Sequence, residues 1–250
     1  MAIASPDAVA RHPHLAVPVR PGRVRADLHT HTMWSGDSTT TPDEFVDAVA
    51  ASGLDVVCIT DHNAIAGAVE MRERFERLGC PCRVIVGEEL RTAAGEIIGL
   101  FLTERVPTGI GHMEAARRIR GQGGVVYVPH PFDPMRRCLS EPALRELAEH
   151  DLIDAVEVLN AKTSLDSLNR RAREFADEYG IVGGAGSDAH VPDALGAAYV
   201  EIDDITVGGS WATATPMEFL AALATSTVVG HHWDEPRPWT PRIVPSTRSD

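Results

Sequence analysis

Nowhere does the 250-residue chain hold the run of about eighteen apolar residues that a membrane-spanning helix needs. Its first residues, "MAIASPDAVARHPHLAVPVRPGR", lack a basic opening followed by an apolar block, so no secretory signal is read there and the cytoplasm is the expected location. Cysteine is scarce, four in all, which argues against a disulfide framework in a protein of this size. Cys58 lies inside the apolar run "LDVVCIT" and reads as a small buried residue. Cys80 and Cys82 flank Pro81 at a strand start, and Cys138 falls in a loop; without partners nearby the C-x-C pair is not taken as a metal site. Positive charge is short as well. With 23 Lys and Arg against 36 Asp and Glu, the net charge is −13, and the basic stripe of a general nucleic-acid surface is missing. Long nucleic acid is therefore not expected as a partner, nor is a membrane. An anionic substrate is still allowed, because bound metal ions reverse the local sign of a site.

What is present is an ordinary apolar content of 44% and a length that suits one α/β domain. Residues 1–22 carry prolines and no periodicity and read as a flexible arm. Residues 231–250, again proline-rich, read as a surface wrap or loose tail. Between them, over 23–230, strands and helices alternate. The strands are "RVRADL" (23–28), "LDVVCIT" (54–60), "RVIVGEE" (83–89), "EIIGLFL" (96–102), "GVVYVP" (124–129), "DAVEVL" (154–159) and "IVGGAGS" (181–187). Helices are expected from Pro42 to Gly53, over 65–78, 111–120, 141–150 and 164–179, and from Pro216. Thr41 with Glu44, and Thr215 with Glu218, have capping-box spacing. Seven β-α units imply a mostly parallel sheet, and the length favours a closed or nearly closed barrel over an open sheet. No sequence repeat underlies the alternation.

The polar residues fall in a pattern. Strand one stops on "DLHTHT", with His29 and His31 at the i, i+2 spacing that places side chains on one face of a strand. Strand two stops on "TDH" with His62, strand three on "GEE" with Glu89, strand five on "PHP" with His130, strand six on Asn160, and strand seven on "SDAH" with Asp188 and His190. Asp37 follows strand one in "SGDS", and Glu96 stands at or beside the start of strand four. Any one of these has an ordinary reading, since a single strand-end histidine is more often hydrogen-bonded than metal-bound and Asp or Asn after a strand is a common turn former. Their joint placement decides the matter. Of eleven histidines, His112 and His150 fall on helices and His12, His14, His231 and His232 in the termini; the other five all sit at strand ends. In a parallel barrel those ends share one rim, where active sites form. Five imidazoles and several carboxylates there are costly to assemble unless cations hold them. A nitrogen and oxygen ligand set without thiolate suits Zn, Mn or Fe.

Together "DLHTHT", "SGDS", "TDH", "GEE", "PHP" and "SDAH" resemble, in that order, the PHP family, named for polymerase and histidinol phosphatase. The resemblance implies a distorted (β/α)7 TIM-like barrel with two or three divalent ions at its rim. It implies that His29, His31, Glu89 and Asp188 hold one metal, that Asp37, His62 and His190 hold another, and that Glu89 bridges to a further metal bound by His130. Many members with three metals place a histidine where Glu96 stands here; a carboxylate there still ligates and favours a harder ion. Asn160 is at best a weak ligand and equally a substrate contact.

The resemblance also implies phosphoester hydrolysis by a metal-activated hydroxide, held here by Glu89, His130 and Asp188. A bound water acidified to a pKa near 7 attacks, and neighbouring ions about 3.5–4 Å apart clamp the phosphoryl oxygens. No protein nucleophile is needed, and none is evident. Three divalent ions bring about +6 against about −4 from Asp37, Glu89, Glu96 and Asp188, enough to attract a phosphate dianion, whereas two ions leave a sum near zero. Arg91, Arg136, Arg137 and Lys162 stand in rim loops and are candidates to grip phosphate. Asp27, Asp61 and Ser187 are read as orienters of ligands, and His112 as a surface residue. The expected substrate is a small phosphomonoester. The alternatives are a phosphodiesterase or exonuclease on short oligonucleotides or cyclic phosphates, disfavoured by the acidic charge, and a metal-dependent amidohydrolase, disfavoured because residues 96–102 lack the bridging lysine of that class. Oligomeric state is not legible.

Overall fold

The computed structural model describes residues 22–203 and 214–234. Of the arm expected over 1–22 only Gly22, and of the tail expected over 231–250 only residues 231–234, fall within them; the rest lies outside the described residues.

Local chemistry sets the helix boundaries where the sequence placed them. In α1 (Pro42–Ser52) the Thr41 hydroxyl accepts from the Glu44 N–H, and the Glu44 carboxylate accepts in turn from the Thr41 N–H at 3.0 Å. Gly53, at φ 70°, ends the helix in a left-handed conformation that costs a residue without Cβ nothing. The remaining helices are α2 (Ala66–Leu78), α3 (His112–Gly121), α4 (Glu141–Glu149), α5 (Asp166–Tyr179) and α6 (Pro216–Leu223), the last opened by a second capping box from Thr215 and Glu218. None among the described residues is long and apolar enough to cross a membrane.

Among the described residues nine strands form one sheet: β1 (Arg23–Thr30), β2 (Val56–Ile59), β3 (Arg83–Thr92), β4 (Gly95–Leu100), β5 (Val125–Val128), β6 (Ala155–Asn160), β7 (Val182–Gly186), β8 (Ala198–Asp203) and β9 (Thr227–Gly230). Their order is β7-β6-β5-β4-β3-β2-β1-β8-β9. The sheet curls into a nearly closed barrel, the expected α/β class, but its strands depart from seven repeating β-α units. β4 runs antiparallel to both β3 and β5. Only Ala93 and Ala94 separate β3 from β4, far too few for the crossover that parallel strands require. β8 and β9, absent from the sequence reading, extend the sheet as an antiparallel pair beside β1. The inversion of β4 has a direct consequence. Glu96 pairs with Arg91, so the start of β4 sits at the same rim as the end of β3.

Closure is completed by loop backbone. The Asp188 N–H donates to the His29 carbonyl at 2.7 Å and the His31 N–H to the Ala189 carbonyl at 3.0 Å. The segment after β7 thereby lies along the end of β1, where the pairing with β2 also shifts register between Asp27 and Thr30. Two apolar layers support this frame. One, including Phe45, Met71, Phe75 and Leu144, lies between sheet and helices. The other, including Leu28, Cys58, Ile98 and Tyr127, is formed by alternate residues of the strands and sealed by Phe219 from α6. Burying each such side chain contributes about 1.5–3 kcal/mol. The interior is narrow: a Cβ on Gly184 would lie 2.8 Å from Leu28 Cδ1 and Tyr127 Cε2, and one on Gly186 would overlap His29 Cβ. Gly184 and Gly186 belong to β7 itself and let it approach β1.

All four cysteines are free thiols, and none joins a metal-competent cluster among the described residues. His112 opens α3 and bonds Glu146 at 2.8 Å on the surface, as expected. His231 and Trp233 donate their N–H groups to the Ala197 and Ala161 carbonyls, so the first residues past β9 lie against the barrel.

Candidate metal centre

The rim brings together all nine residues expected to ligate metal. Successive backbone bonds align their strand ends: the Thr60 N–H donates to the Thr30 carbonyl and the Glu89 N–H to the Thr60 carbonyl, and His62 bridges to Glu89. His130 and Asp188 take left-handed backbone conformations, φ 29° and 52°. Such conformations cost a residue bearing a Cβ about 1–3 kcal/mol and persist where surrounding structure enforces them.

Glu89 is the hub. Its Oε2 lies 3.3 Å from both His29 Nε2 and His31 Nε2 and 3.1 Å from His62 Nδ1, while its Oε1 lies 3.0 Å from His130 Nε2. Asp188 Oδ1 completes the first group, 3.6 Å from His29 Nε2 and 3.4 Å from His31 Nε2. Asp37 spans the second, 3.4 Å from His62 Nε2 and 3.5 Å from His190 Nε2. Glu96 clusters with His62 and Glu89, and His130 with His29 and Glu89.

These spacings fit divalent ions. Donor atoms roughly 2.0–2.2 Å from a shared ion lie roughly 3.0–3.6 Å from one another, the separation seen here. The donor chemistry agrees. His29 Nε2 and His31 Nε2 stand 3.0 Å apart with two carboxylate oxygens beside them, so one N–H proton faces more acceptors than it can serve. His130 Nδ1 is buried without a hydrogen-bond partner.

The imidazoles are aimed by their outward nitrogens. His29 Nδ1 meets Glu157 Oε1 at 3.1 Å. His31 Nδ1 meets Ser35 Oγ at 2.8 Å, and that hydroxyl donates to Asp61 at 2.8 Å. His190 Nδ1 meets the Asp188 carbonyl at 2.8 Å. In each ring this leaves Nε2 turned toward the cluster, the usual arrangement around bound metal. Asp27 works through backbone, accepting from the N–H groups of His29, Ser187 and Gly196. The sequence reading missed Glu157 and Ser35. Glu157 had a signal, a carboxylate in the middle of the otherwise apolar "DAVEVL". Besides holding His29, it accepts from the His130 N–H at 2.6 Å and from Asn160 Nδ2 at 2.9 Å. Glu157→Gln sets an amide donor against one of these partners, and metal affinity should fall about 10–100-fold. Competition titration against a chelating dye reads this; an unchanged affinity would remove Glu157 from the orienting role.

The electrostatics are those of a site short of positive charge. Burial pulls the His29 imidazolium down, yet Asp188, Glu157 and Glu89 outweigh it and hold its pKa well above the usual value. Burial likewise opposes charge on His62, but Glu89 and Asp37 lift it to about 11. His31, buried and beside His190, drops to about 4. Burial and the neighbouring Glu89 raise Glu96 to about 7. Burial opposes ionisation of Glu89 and Asp188 too, but the facing histidines keep both well below the carboxylate range. Without cations, protons on imidazoles supply the balancing charge.

Over the cluster opens a cleft of about 420 Å³, lined by His62, His130 and His190 and by the cationic Arg91, Arg136 and Arg137. Asp37, 57% exposed, marks its open side. Asn160, expected as a weak ligand or substrate contact, is buried beneath Asp188. Its amide donates to Glu157 and Asp188, and its carbonyl accepts from the Lys162 and Thr163 N–H groups, so it has no face toward the cleft. Lys162 Nζ lies 3.1 Å from His190 Nδ1 and does not line the cleft.

Comparison with known proteins points the same way. The profile of the "PHP domain" family matches residues 27–175, and that of a family described as "PHP-associated" matches residues 166–228. An uncharacterised protein of Methanocaldococcus jannaschii is 32% identical over 213 residues, spanning 82% of this chain and 81% of its own. A second from that organism is 38% identical over 148 residues, 55% of this chain and 82% of its own. Among solved structures, a two-domain protein from Bacteroides vulgatus, described as containing a predicted PHP-like metal-dependent phosphoesterase, superposes with a TM-score of 0.66 at 19% identity, over 86% of this chain and 67% of that one.

Proposed function

Because the chain belongs to the PHP domain family, we propose that it is a metal-dependent phosphoesterase that hydrolyses a small phosphomonoester. The observation that carries this reading is the split engagement of Glu89, whose two oxygens face separate histidine groups and so suit a carboxylate shared between ions. In the proposed site His29, His31, Glu89 and Asp188 hold one ion, Asp37, His62 and His190 a second, and Glu89, Glu96 and His130 a third. Bound divalent ions (Mn, Fe or Zn) would acidify water and neutralise phosphoryl charge.

The residues of the chain do the rest by position. Arg136 and Arg137 line the cleft from the loop after β5 and Arg91 from β3, where guanidinium groups can pair with phosphate oxygens. Ser35, whose residue lines the cleft, is no free nucleophile, since its Oγ is committed to His31, Asp61 and the His62 N–H. Charge supports three ions. With Glu157 counted, the carboxylates sum to about −5, so three divalent ions leave about +1 and two leave about −1. Counted over ions and carboxylates alone, only the first case leaves a positive sum to draw in a phosphate dianion. The amidohydrolase alternative finds no lysine in residues 96–102.

Assay of para-nitrophenyl phosphate, its bis ester and a short oligonucleotide tests the proposal, each with Mn²⁺ and with chelator. Turnover of the monoester with Mn²⁺ and its loss on chelation are expected. Turnover confined to the bis ester would overturn the monoesterase reading.

A further inference from the structure

A second concavity adjoins the metal cleft. It runs between the exposed side of α2 and the loop from β4 to α3, has a volume of about 1030 Å³, and is lined by Trp34, by Ile65 just before α2 and Val69 on it, and by Thr108. Asn63 and Arg91 line both spaces, so the two lie side by side along a shared rim. The divider is fixed: Asn63, at φ 55°, accepts the Arg91 N–H through its Oδ1 at 2.9 Å. The far wall is fixed as well. The Gly109 N–H and the Thr108 hydroxyl both donate to the Arg91 carbonyl, and the Val106 N–H donates to Glu88.

Three cations border this groove, and each already faces a carboxylate. Arg77 lies 3.8 Å from Glu73, Arg91 4.0 Å from Glu96, and Arg105 3.8 Å from Glu88. Glu70 and Glu104 add two more negative charges along its edge. Within the lining of the groove itself three arginines meet three glutamates, Glu70, Glu73 and Glu104, so a second phosphate or a nucleic-acid strand would find no net positive charge there. On the other side of the cleft stand Arg136 and Arg137. The polarity of the site is therefore asymmetric, with cations on one flank and an electrically balanced, partly apolar groove on the other.

We infer that this groove receives the leaving group of the phosphoester, and that the leaving group is an uncharged alcohol with a bulky apolar or aromatic part. The inference rests on the phosphoesterase reading for the phosphate end; the groove itself is a matter of shape and charge. Its volume suits a ring system, since small-molecule sites measure about 300–1,000 Å³, and an indole offers a flat apolar partner worth about tenfold in binding.

The test compares kcat/KM for 1-naphthyl phosphate and phenyl phosphate in the Mn²⁺-loaded enzyme, with the inhibition constant of inorganic phosphate measured on each variant for normalisation. Wild type should prefer the naphthyl ester. Trp34→Ala, which removes the flat partner, and Thr108→Trp, which fills the groove from its exposed wall, should each reduce that preference about tenfold. Absence of a naphthyl preference in wild type, or its persistence in both variants, overturns the inference. If neither ester is hydrolysed, it is the phosphoesterase reading that fails. Calorimetric titration with 1-naphthol, which has no phosphate, then decides on the groove: binding lost in Trp34→Ala upholds it, and no binding to wild type overturns it.

Discussion

Replacing Glu89 by glutamine should lower kcat at least about 10³-fold, a loss of roughly 4 kcal/mol of transition-state stabilisation, and should release one or more bound ions. Its carboxylate faces four imidazoles, against three for Asp188: His29, His31 and His62 through one oxygen, His130 through the other. Glutamine keeps the shape but turns one half of the group into a donor and removes the charge that all four imidazoles face. Glu89→Asp keeps the charge and loses the reach of one methylene, so it should retain ions in one group only. Ion content by emission spectroscopy, beside a melting curve to confirm folding, separates loss of metal from loss of structure. A folded Glu89→Gln protein with full activity would sink the proposed site. So would a wild type fully active with two or fewer ions, as far as the three-ion count is concerned.

Stripping metal should cost stability as well as activity. Ions that bind only the folded chain stabilise it by about 4 kcal/mol at a thousandfold excess over Kd, so chelation should lower Tm by roughly 8–16 °C for a chain of this size. The buried carboxylates explain why. Glu89 and Asp188 are both almost wholly buried, and Glu157 entirely so. Removing the cations leaves protons on His29 and His62 as the remaining counter-charge. Acidification should act in the same direction, because ligating imidazoles must be neutral and protons compete with the ions. Differential scanning calorimetry with and without chelator, over a series of pH values, measures both. An unchanged Tm after verified removal of every ion would show that the cluster is stable on its own hydrogen bonds.

Much of this site was legible in the primary chain. A run of apolar residues that ends on His62, Glu89, His130 or Asp188 records both a buried strand and a polar terminus, and Thr41 with Glu44 records a helix start; each signal is confined to a few neighbouring residues. The mid-strand carboxylate of Glu157 was also written there, but its meaning depends on His29, far away in sequence. The same holds for Asn160, whose place at a strand end suggested the cleft. Only packing shows that Glu157, Asp188 and its own loop consume all its hydrogen-bonding capacity.

The sequence by itself determined the kinds of elements, their caps and the identity of the groups at the rim, since periodicity, capping and residue chemistry act over one or two turns. Tertiary structure alone decided that β8 and β9 extend the sheet beside β1, that backbone from Asp188 to Ala189 closes it against His29 and His31, and that a balanced groove opens beside the cleft. The reversal of β4 stands between the two: residues 90–95, left between the strands as read from the sequence, are already too few for a parallel crossover, yet the direction is fixed by pairing on both edges. Strand direction, edge pairing and cavities are properties of surfaces that meet across long stretches of chain, and no local pattern encodes which surfaces will meet.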